Sequence, residues 1–436
     1  MKWLLKNSLI DNEKGVVAPI VAVCLILFVG FTALAVDIGH LYVARNELQN
    51  AADAGALAGA SCLFCQEASS YCSAAGCPVG EINPDANARA LSAATDNKSE
   101  NAPVEVLVAE VERGHWSFAT HTFAPNDTPD QVDLWGVSAE ELDTNPAFIN
   151  AVRVTTRRST TPVSLYFANI FGMESQAMTA QAIGYRGFAG SLNETEADTP
   201  IAICDQAITR IVDGKRVYDC GEGRMSNSNN NVCDSNTTAW TDFAQPCEGA
   251  ADANTMRSLV CGSGNSAPIN MAPMSAVNGV QMSVFSDFRD CWWAKSEHGT
   301  KPWEVTLPII DCEDYPGPVD NCSTVVGAVT VNIMWVQERA NQCDVTGYYP
   351  TVMAGIPGST PPYANWTAPV SATPAQIWDS FFNHFHLKNS ALDPTCITKC
   401  DSKAIYFLPD CTPHDAVGGN GGPNRGVFAR IPVLVN

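Results

Sequence analysis

In this chain of 436 residues, the cysteines are the side chains whose number and spacing most suggest a chemical role, as disulfides or as metal ligands. Seventeen cysteines are present, and Cys24 differs from the others because it lies in an uncharged apolar run, where we expect an inert buried thiol. The remaining 16 form an early cluster of four and a later group of twelve. Even numbers in both groups favour disulfides formed in an oxidising compartment. The sixteen candidates are Cys62, Cys65, Cys72, Cys77, Cys204, Cys220, Cys233, Cys247, Cys261, Cys291, Cys312, Cys322, Cys343, Cys396, Cys400 and Cys411.

Zinc is the alternative to disulfides in the early cluster, because Cys62 and Cys65 have the spacing of a zinc-binding pair. Most zinc sites add a second close pair, whereas four residues separate Cys72 from Cys77. We therefore favour disulfides within this cluster and none between it and the later twelve cysteines. The pairing inside each group cannot be deduced from the sequence.

Two other groups carry metal-binding side chains. His384 and His386 are expected on one side of a strand, where they could bind zinc with the two cysteines at positions 396 and 400. The acidic loop around Cys312 offers oxygen ligands for calcium, but its spacing fits no EF-hand loop. Oxidised cysteines and a solvated acidic loop are favoured, so no metal and no other cofactor is expected. The acidic residues are Asp311, Glu313, Asp314 and Asp320.

Catalytic motifs are not found in the sequence. Cys291 is followed by two tryptophans, but it lacks a Cys-x-x-Cys context and a positioned base, which favours a disulfide packed under aromatic rings. No Gly-x-Ser-x-Gly, phosphate-binding loop or His-Glu-x-x-His motif occurs. We therefore predict no catalytic residues and no enzyme activity.

The charge balance is strongly acidic, with 46 Asp and Glu against 25 Lys and Arg. A protein that binds nucleic acid needs a basic surface for the phosphates, so this composition argues against such a partner. It also argues against electrostatic adhesion to anionic lipid. Solubility outside the cytoplasm is the simpler explanation of the acidity.

A run of 21 uncharged residues, Val16 to Val36, is long enough to cross a bilayer as a helix. Lys2, Lys6 and Lys14 precede the run, which predicts a cytoplasmic N-terminus and a periplasmic bulk. A cleaved signal peptide is the alternative. However, the run is longer than a usual signal core, and the helical pattern continues to about residue 60. A retained single-pass anchor in the inner membrane is favoured.

Small residues recur every four positions beyond the apolar run, at Ala51, Gly55 and Gly59. Such a stripe lets another backbone approach a helix closely. Two interpretations stay open: the stripe packs on the chain's own domain, or it binds a partner's helix and mediates self-association.

The chain is expected to contain three units: residues 1–60 as transmembrane helix and stalk, 61–190 as a cysteine loop with an α+β domain, and 200–436 as a disulfide-rich β domain. In the second unit we predict a strand over Val104–Glu112, its hairpin partner over His115–Phe123, and a short helix from Thr161 to Phe171. The overall class is α+β: a long N-terminal helix, an antiparallel-sheet domain and a β-dominated domain.

The stretch from Lys14 to Ala60, which contains AVDIGHLYVARNELQNAADAGALAGA, resembles the N-terminal domain of TadE/TadG-like Flp (tight adherence) pilus-assembly proteins. The later segments GHW, from Gly114, and NAVRVTTRR, from Asn150, are similar to segments that come after this domain in TadG-like chains. The resemblance covers about the first 190 residues. It implies an accessory role in building or anchoring adhesive pili, with pilus-assembly proteins as partners and no catalytic residues.

The sequence departs from the family's variants at two points. Processed pilin-like members have Glu five positions after a Gly, whereas Ile20 takes that place after Gly15, so prepilin processing is not expected. No Asp-x-Ser-x-Ser loop of a von Willebrand factor A domain occurs, which argues against metal-dependent adhesion. The predicted function is a non-enzymatic, membrane-anchored accessory protein of an adhesive Flp pilus. The alternative is a secreted or surface-displayed adhesin whose cysteine-rich domain binds a ligand.

Overall fold

The computed structural model describes residues 17–66, 72, 76–227, 237–278, 282–312, 319–337, 347–356, 363–387, 400 and 403–435. Within these ranges the α-helices are α1 Val17–Ser61, α2 Ala86–Thr95, α3 Ala139–Asp143, α4 Ala253–Leu259, α5 Met282–Lys295 and α6 Pro374–His384. Short 3-10 helices cover Val108–Glu110, Ala168–Phe171 and Asp205–Ile208.

Twenty strands were assigned in the described ranges. They are β1 Lys98–Ser99, β2 Ala102–Pro103, β3 Val111–Ser117, β4 Thr122–Pro125, β5 Ala151–Ser164, β6 Ser175–Tyr185, β7 Ile201–Cys204, β8 Thr209–Val212, β9 Lys215–Tyr218, β10 Arg224–Asn227, β11 Thr238–Thr241, β12 Pro273–Asn278, β13 Trp303–Ile310, β14 Cys322–Gln337, β15 Val352–Met353, β16 Trp366–Thr367, β17 Ala404–Pro409, β18 Val417–Gly419, β19 Ala429–Ile431 and β20 Val433–Val435. The α+β class predicted from the sequence is confirmed.

Helix α1 is a single helix of 45 residues whose two halves have different surroundings. Its first half, up to Val36, is apolar and exposed, and the helix is long and apolar enough to cross a membrane. The thiol of Cys24 is exposed on this surface, so the expectation of a buried thiol is wrong for the isolated chain. The second half is rich in alanine, and residues such as Leu48, Ala52 and Ala56 are fully buried.

A five-stranded antiparallel sheet in the order β20-β6-β5-β3-β4 packs against α1 and α2. We call it the anchor sheet. Val152 and Val154 of β5 point to the helices, and the intervening Arg153 is half-buried on the other face, as expected for alternating strand residues. The last strand of the chain, β20, pairs with β6. The C-terminal segment therefore completes the sheet that the N-terminal helix covers.

A second, seven-stranded sheet contains β10, β17, β14, β12, β11, β7 and β13 in that order, with β13 also paired to β14. We call it the aromatic sheet. Strand β14 is 16 residues long, and its two ends pair with different neighbours, β12 and β17. The pairings from β14 through β12, β11, β7 and β13 return to β14, so five strands close into a ring. The core of this region contains the fully buried side chains Trp240, Trp292, Trp335, Phe381 and Phe382.

Two predicted elements of the anchor sheet are wrong. Val104–Glu112 does not form one strand: Leu107 and Val108 are exposed, so their apolar alternation meets no core, and the strand begins only at Val111. The residues expected as its hairpin partner instead form a tight hairpin of β3 with β4, because the turn lies around His121, whose φ is 51°.

Two predicted elements have a different secondary structure. The helix expected from Thr161 to Phe171 is mostly strand, because β5 continues through a bulge to Ser164, and only a short 3-10 helix follows. His384 ends α6 and is not in a strand. Thr373 and Gln376 form a capping box at the start of α6, and its apolar residues follow the helical period.

Candidate functional site

The small-residue stripe of α1 is occupied by the chain's own helix and sheet. Ala51 is fully buried in a cluster with Leu48. A Cβ atom added to Gly55 would lie 2.8 Å from Ala94 Cβ, and one added to Gly59 would lie 2.7 Å from Ala90 Cβ. Because real Cβ atoms do not approach other atoms so closely, only glycine fits at these positions without displacement of α2.

The sheet approaches α1 from the other side. A Cβ atom on Gly184 of β6 would lie 2.7 Å from the carbonyl carbon of Ala56, so the strand and helix backbones are in contact here. Further along the helix, the Thr156 hydroxyl of β5 donates a hydrogen bond of 2.9 Å to the carbonyl of Leu48. Helix α1 is therefore seated directly on the backbones of β5 and β6.

Asp37 connects the helix to the anchor sheet at the end of the apolar run. Its carboxylate accepts hydrogen bonds from the backbone N–H groups of Tyr166, Phe167 and Ala168, at 2.8, 3.0 and 2.6 Å. These groups start the 3-10 helix after β5, where N–H groups have no partner within the helix. The residue is only 3% exposed, so these bonds satisfy a carboxylate that has little contact with solvent.

A polar network next to Asp37 holds the β1–β2 hairpin against α1. The Glu47 carboxylate accepts the backbone N–H of Glu100 at 2.7 Å, and the His40 ring contacts the Glu100 carboxylate. Arg158 of β5 contacts the same carboxylate at 3.2 Å and donates to the carbonyl of Ser99 at 2.8 Å. Helix, hairpin and β5 are thus joined through one carboxylate.

Glu105 stabilises the bulge of β5 that precedes the C-terminal end of the strand. Its carboxylate accepts hydrogen bonds from the backbone N–H groups of Ser159, Thr160 and Thr161 and from two hydroxyls. Partial removal from water favours the protonated form, but these hydrogen bonds outweigh it and lower the pKa of Glu105 strongly. The bulge is therefore organised around an ionised carboxylate.

Arg186 joins the other end of α1 to the C-terminal segment. Its fully buried guanidinium donates to the carbonyls of Ser61 and Ala429, both at 2.6 Å, and lies over the Phe64 ring at 5.3 Å. Burial, with a contribution from Arg430, lowers the pKa of Arg186 to about 9. The helix end, β6 and β19 meet at this side chain.

Twelve of the candidate cysteines lie in six pairs at disulfide distance, with Cα atoms 4.8–5.9 Å apart. None of these described pairs joins the early cluster to the later group. Cys400 is also disulfide-bonded, and Cys233, Cys343 and Cys396 lie outside the described residues. The pairs are Cys62–Cys72, Cys65–Cys77, Cys204–Cys312, Cys220–Cys411, Cys247–Cys322 and Cys261–Cys291.

The structure describes some of the side chains that the sequence offers as metal ligands, and His384 and Asp311 contact other groups of the protein. The imidazole Nε2 of His384 lies 2.8 Å from the carbonyl of Ala364, and His386 follows the end of α6. Asp311 contacts the side-chain amide of Gln206. Glu313 and Asp314 lie outside the described residues.

One cluster was missed by sequence reasoning, because Glu304 is distant in the chain from Asp410 and His414. The two ring nitrogens of His414 face carboxylate oxygens of Asp410 at 3.3 Å and Glu304 at 3.4 Å. Burial acts against protonation, but these two carboxylates outweigh it and raise the pKa of His414 to about 9. A protonated imidazole has no lone pair for a metal, so this arrangement favours an ion pair.

The comparisons with known families agree with this geometry. A family model described as Flp pilus-assembly TadE/G-like matches residues 15–61, which include the whole of α1. A second, described as Tad-like Flp pilus-assembly, matches residues 46–183 and so covers α1 from residue 46 onward and most of the anchor sheet. Together the two matches cover residues 15–183, and this part of the chain is similar to TadE/TadG-like Flp pilus-assembly proteins. No curated protein and no solved structure shows a significant match to it.

Proposed function

We propose that this protein is a non-enzymatic, membrane-anchored accessory factor in the assembly or anchoring of an adhesive Flp pilus. The observation that carries the proposal is the continuity of α1: one unbroken helix leaves the apolar run and is then seated on the anchor sheet. The two families matched over residues 15–183 support the pilus-assembly role.

The joint between helix and sheet is suited to bearing load. Contacts follow one another along the second half of α1, from Asp37 through Leu48 and Gly55 to Ser61. Force applied to the anchor sheet would be shared among many close contacts and passed to the membrane span. The carboxylates of this joint accept backbone hydrogen bonds, an arrangement that supports a structural role over catalysis.

The proposed location is the inner membrane, with a single span and a periplasmic bulk. Three lysines before the apolar run favour this orientation. The disulfide-distance pairs support an oxidising compartment for the residues after α1. The partners we propose are other proteins of the pilus-assembly machinery, together with the membrane itself.

A secreted or surface-displayed adhesin is the second candidate. It is favoured by the aromatic sheet, which lies after residue 183 and thus outside both family matches. A separate ligand-binding domain with cross-linked loops would have this organisation. The two proposals differ in whether the apolar half of α1 stays in the inner membrane.

Protease treatment of intact spheroplasts, followed by membrane fractionation, separates the two candidates. Without protease, an anchored factor should be found as a full-length chain in the inner-membrane fraction and should resist alkaline extraction. With protease added to the spheroplasts, the same factor should lose its periplasmic bulk. A strain that lacks the gene should also lose surface pili. Recovery of a shortened chain in the medium or outer membrane, with pili unaffected, would contradict the anchoring role and favour the adhesin.

A further inference from the structure

The connection between β5 and β6, residues 165–174, exposes a dense group of apolar side chains. We call it the hairpin tip. It contains the 3-10 helix Ala168–Phe171, which ends at Gly172 with a left-handed φ of 81°. Five of its large side chains are exposed, with Ile170 and Phe171 exposed by 80% and 82%. The five are Tyr166, Phe167, Ile170, Phe171 and Met173.

The position of the tip is set by the end of the apolar run. Asp37, which accepts three N–H groups of the tip, directly follows Val36, the last residue of that run. The rings of His40 and Tyr166 also lie together, with centroids 4.9 Å apart. The exposed side chains are therefore level with the place where α1 leaves the apolar segment.

The direction of β5 supports the same placement. Val152, near its start, lies beside Gly59 at the distant end of α1, and Thr156 contacts Leu48. The strand thus runs antiparallel to the helix and brings its end to Asp37. The tip is the part of the anchor sheet that comes nearest to the apolar half of α1.

The composition of the tip fits a lipid surface. Residues 165–173, LYFANIFGM, contain no charged side chain, and Glu174 is the one charged residue of the tip, whereas 16% of the whole chain is charged. Aromatic side chains are enriched where proteins cross the boundary between headgroups and acyl chains. A surface that faced water would expose these groups without compensation.

We propose that the hairpin tip inserts its apolar side chains into the surface of the bilayer that α1 spans, at the boundary between headgroups and acyl chains. This inference rests on the proposed anchoring of α1. It gives the anchor sheet a second contact with the membrane beside the helix. Two contacts restrict the tilt and rotation of the sheet relative to the bilayer, which a single helix would leave free.

Photolabelling from within the bilayer tests the insertion. The full chain is reconstituted into phosphatidylcholine vesicles that contain a phosphatidylcholine with a diazirine near the carboxyl end of one acyl chain, and adducts are mapped by mass spectrometry. We expect adducts in residues 166–173 as well as in residues 17–36. Val370 is 96% exposed and lies between β16 and α6, away from the anchor sheet in sequence. Labelling of Val370 gives the background for an exposed apolar side chain.

The variant Ile170→Ser with Phe171→Ser should reduce adducts in the tip several-fold and leave those in residues 17–36 unchanged. Ile211→Ser, at a 60% exposed position on β8, is the matched control and should change neither. Labelling of residues 17–36 with only background in the tip would overturn the insertion and leave the anchoring proposal intact. Background at both places would overturn both proposals. Equal tip labelling in wild type and double variant would show that these two side chains do not insert.

Discussion

The anchor sheet and the aromatic sheet are stabilised in different ways. Against the anchor sheet, α1 and α2 contribute mostly alanine and glycine, such as Ala56, Gly59 and Ala90, so backbones come into contact. In the aromatic sheet, large rings such as Trp240 and Trp335 fill the core, and four described disulfide-distance pairs link its segments.

This difference has a consequence for how each region tolerates change. Close backbone contact leaves no space for an added side chain, so the joint along α1 depends on small residues at defined positions. A core of large rings gains its stability from buried area, and cross-links reduce the entropy of long loops in the unfolded chain. The first arrangement restricts which side chains the contact accepts, and the second holds long loops to a packed core.

The largest effect on stability is expected next to the aromatic sheet, where removal of one side chain would break a buried ion pair. Arg425 donates to both oxygens of Asp205, at 2.7 and 3.0 Å. Asp205→Ala would leave a buried guanidinium without its partner and should lower the free energy of unfolding by about 3–5 kcal/mol. Denaturant unfolding of the oxidised full chain in detergent, followed by tryptophan fluorescence, measures this.

The control for this prediction is Asp287→Ala. Asp287 pairs with Arg257 at 2.8 Å, but both side chains are about half exposed, so a change below about 1 kcal/mol is expected. Equal effects of the two substitutions would mean that burial of the Asp205 pair does not contribute to stability.

The second effect concerns the close contacts of the anchor sheet. A Cβ on Gly59 would lie 2.8 Å from Val152 Cγ1 as well as against Ala90, so Gly59→Leu should cost about 1–3 kcal/mol through overpacking. On the same helix, Gly39 has open space around the Cβ position, so Gly39→Leu should not destabilise the chain. Thermal unfolding and protease resistance of the anchor sheet compare the two. If both variants behave alike, the stripe is not a packing surface.

The third effect is a dependence of stability on pH that comes from His414, which follows strand β17 of the aromatic sheet. The pKa of His414 is about 9 in the folded chain, above its ordinary value of 6.5. Its contribution is therefore fully present below about pH 6.5 and is lost as the pH rises through about 9. Because Glu304 is largely exposed, we expect a loss of only about 1–2 kcal/mol.

Denaturant unfolding at a series of pH values measures this loss. His414→Gln removes the titrating group and should flatten that part of the curve. A wild-type curve that rises between about pH 7 and pH 10 has the wrong sign for this ion pair and would contradict it.

The smallest effect is local and concerns Asp37. Asp37→Asn keeps one acceptor oxygen but removes the charge that three N–H groups share. Faster hydrogen exchange is expected at the amides of Tyr166, Phe167 and Ala168, with little change in overall unfolding. Asp53→Asn, on the same helix, is the control and should leave these amides unchanged. Unaltered exchange in Asp37→Asn would show that the carboxylate does not hold the tip.

Part of the candidate site could be predicted from local patterns. The small-residue period at Ala51, Gly55 and Gly59 indicated a packing surface, but it left open whether the surface packs on the chain's own domain or binds a partner's helix. The stripe packs against Ala90 and Ala94 of α2, and only the folded chain brings these residues next to it. The domain boundaries at residues 60, 190 and 200 stay predictions, although β20 joins the anchor sheet from the far end of the chain.

Secondary structure predicted from the sequence was wrong where a local pattern competed with a contact to a distant part of the chain. The alternation of Val104–Glu112 predicts a strand, yet Glu105 is held by the bulge of β5, more than fifty residues away. The turn signal at Thr161 and Pro162 predicts a helix start, yet the pairing of β5 with β6 extends the strand past it. In both cases tertiary pairing outweighed intrinsic preference, which is weak for individual residues.

The apolar run, the helix that continues from it and the overall α+β class were determined by the sequence alone, because they depend on composition and period over neighbouring residues. The family resemblance likewise follows from residues 14–60. Only the tertiary structure decided that Asp37 holds the N–H groups of residues 166–168, since a carboxylate gives no sign of a partner 129 to 131 positions away. The same holds for His414, because Glu304, one of the two carboxylates beside its ring, comes within 3.4 Å only in the folded chain.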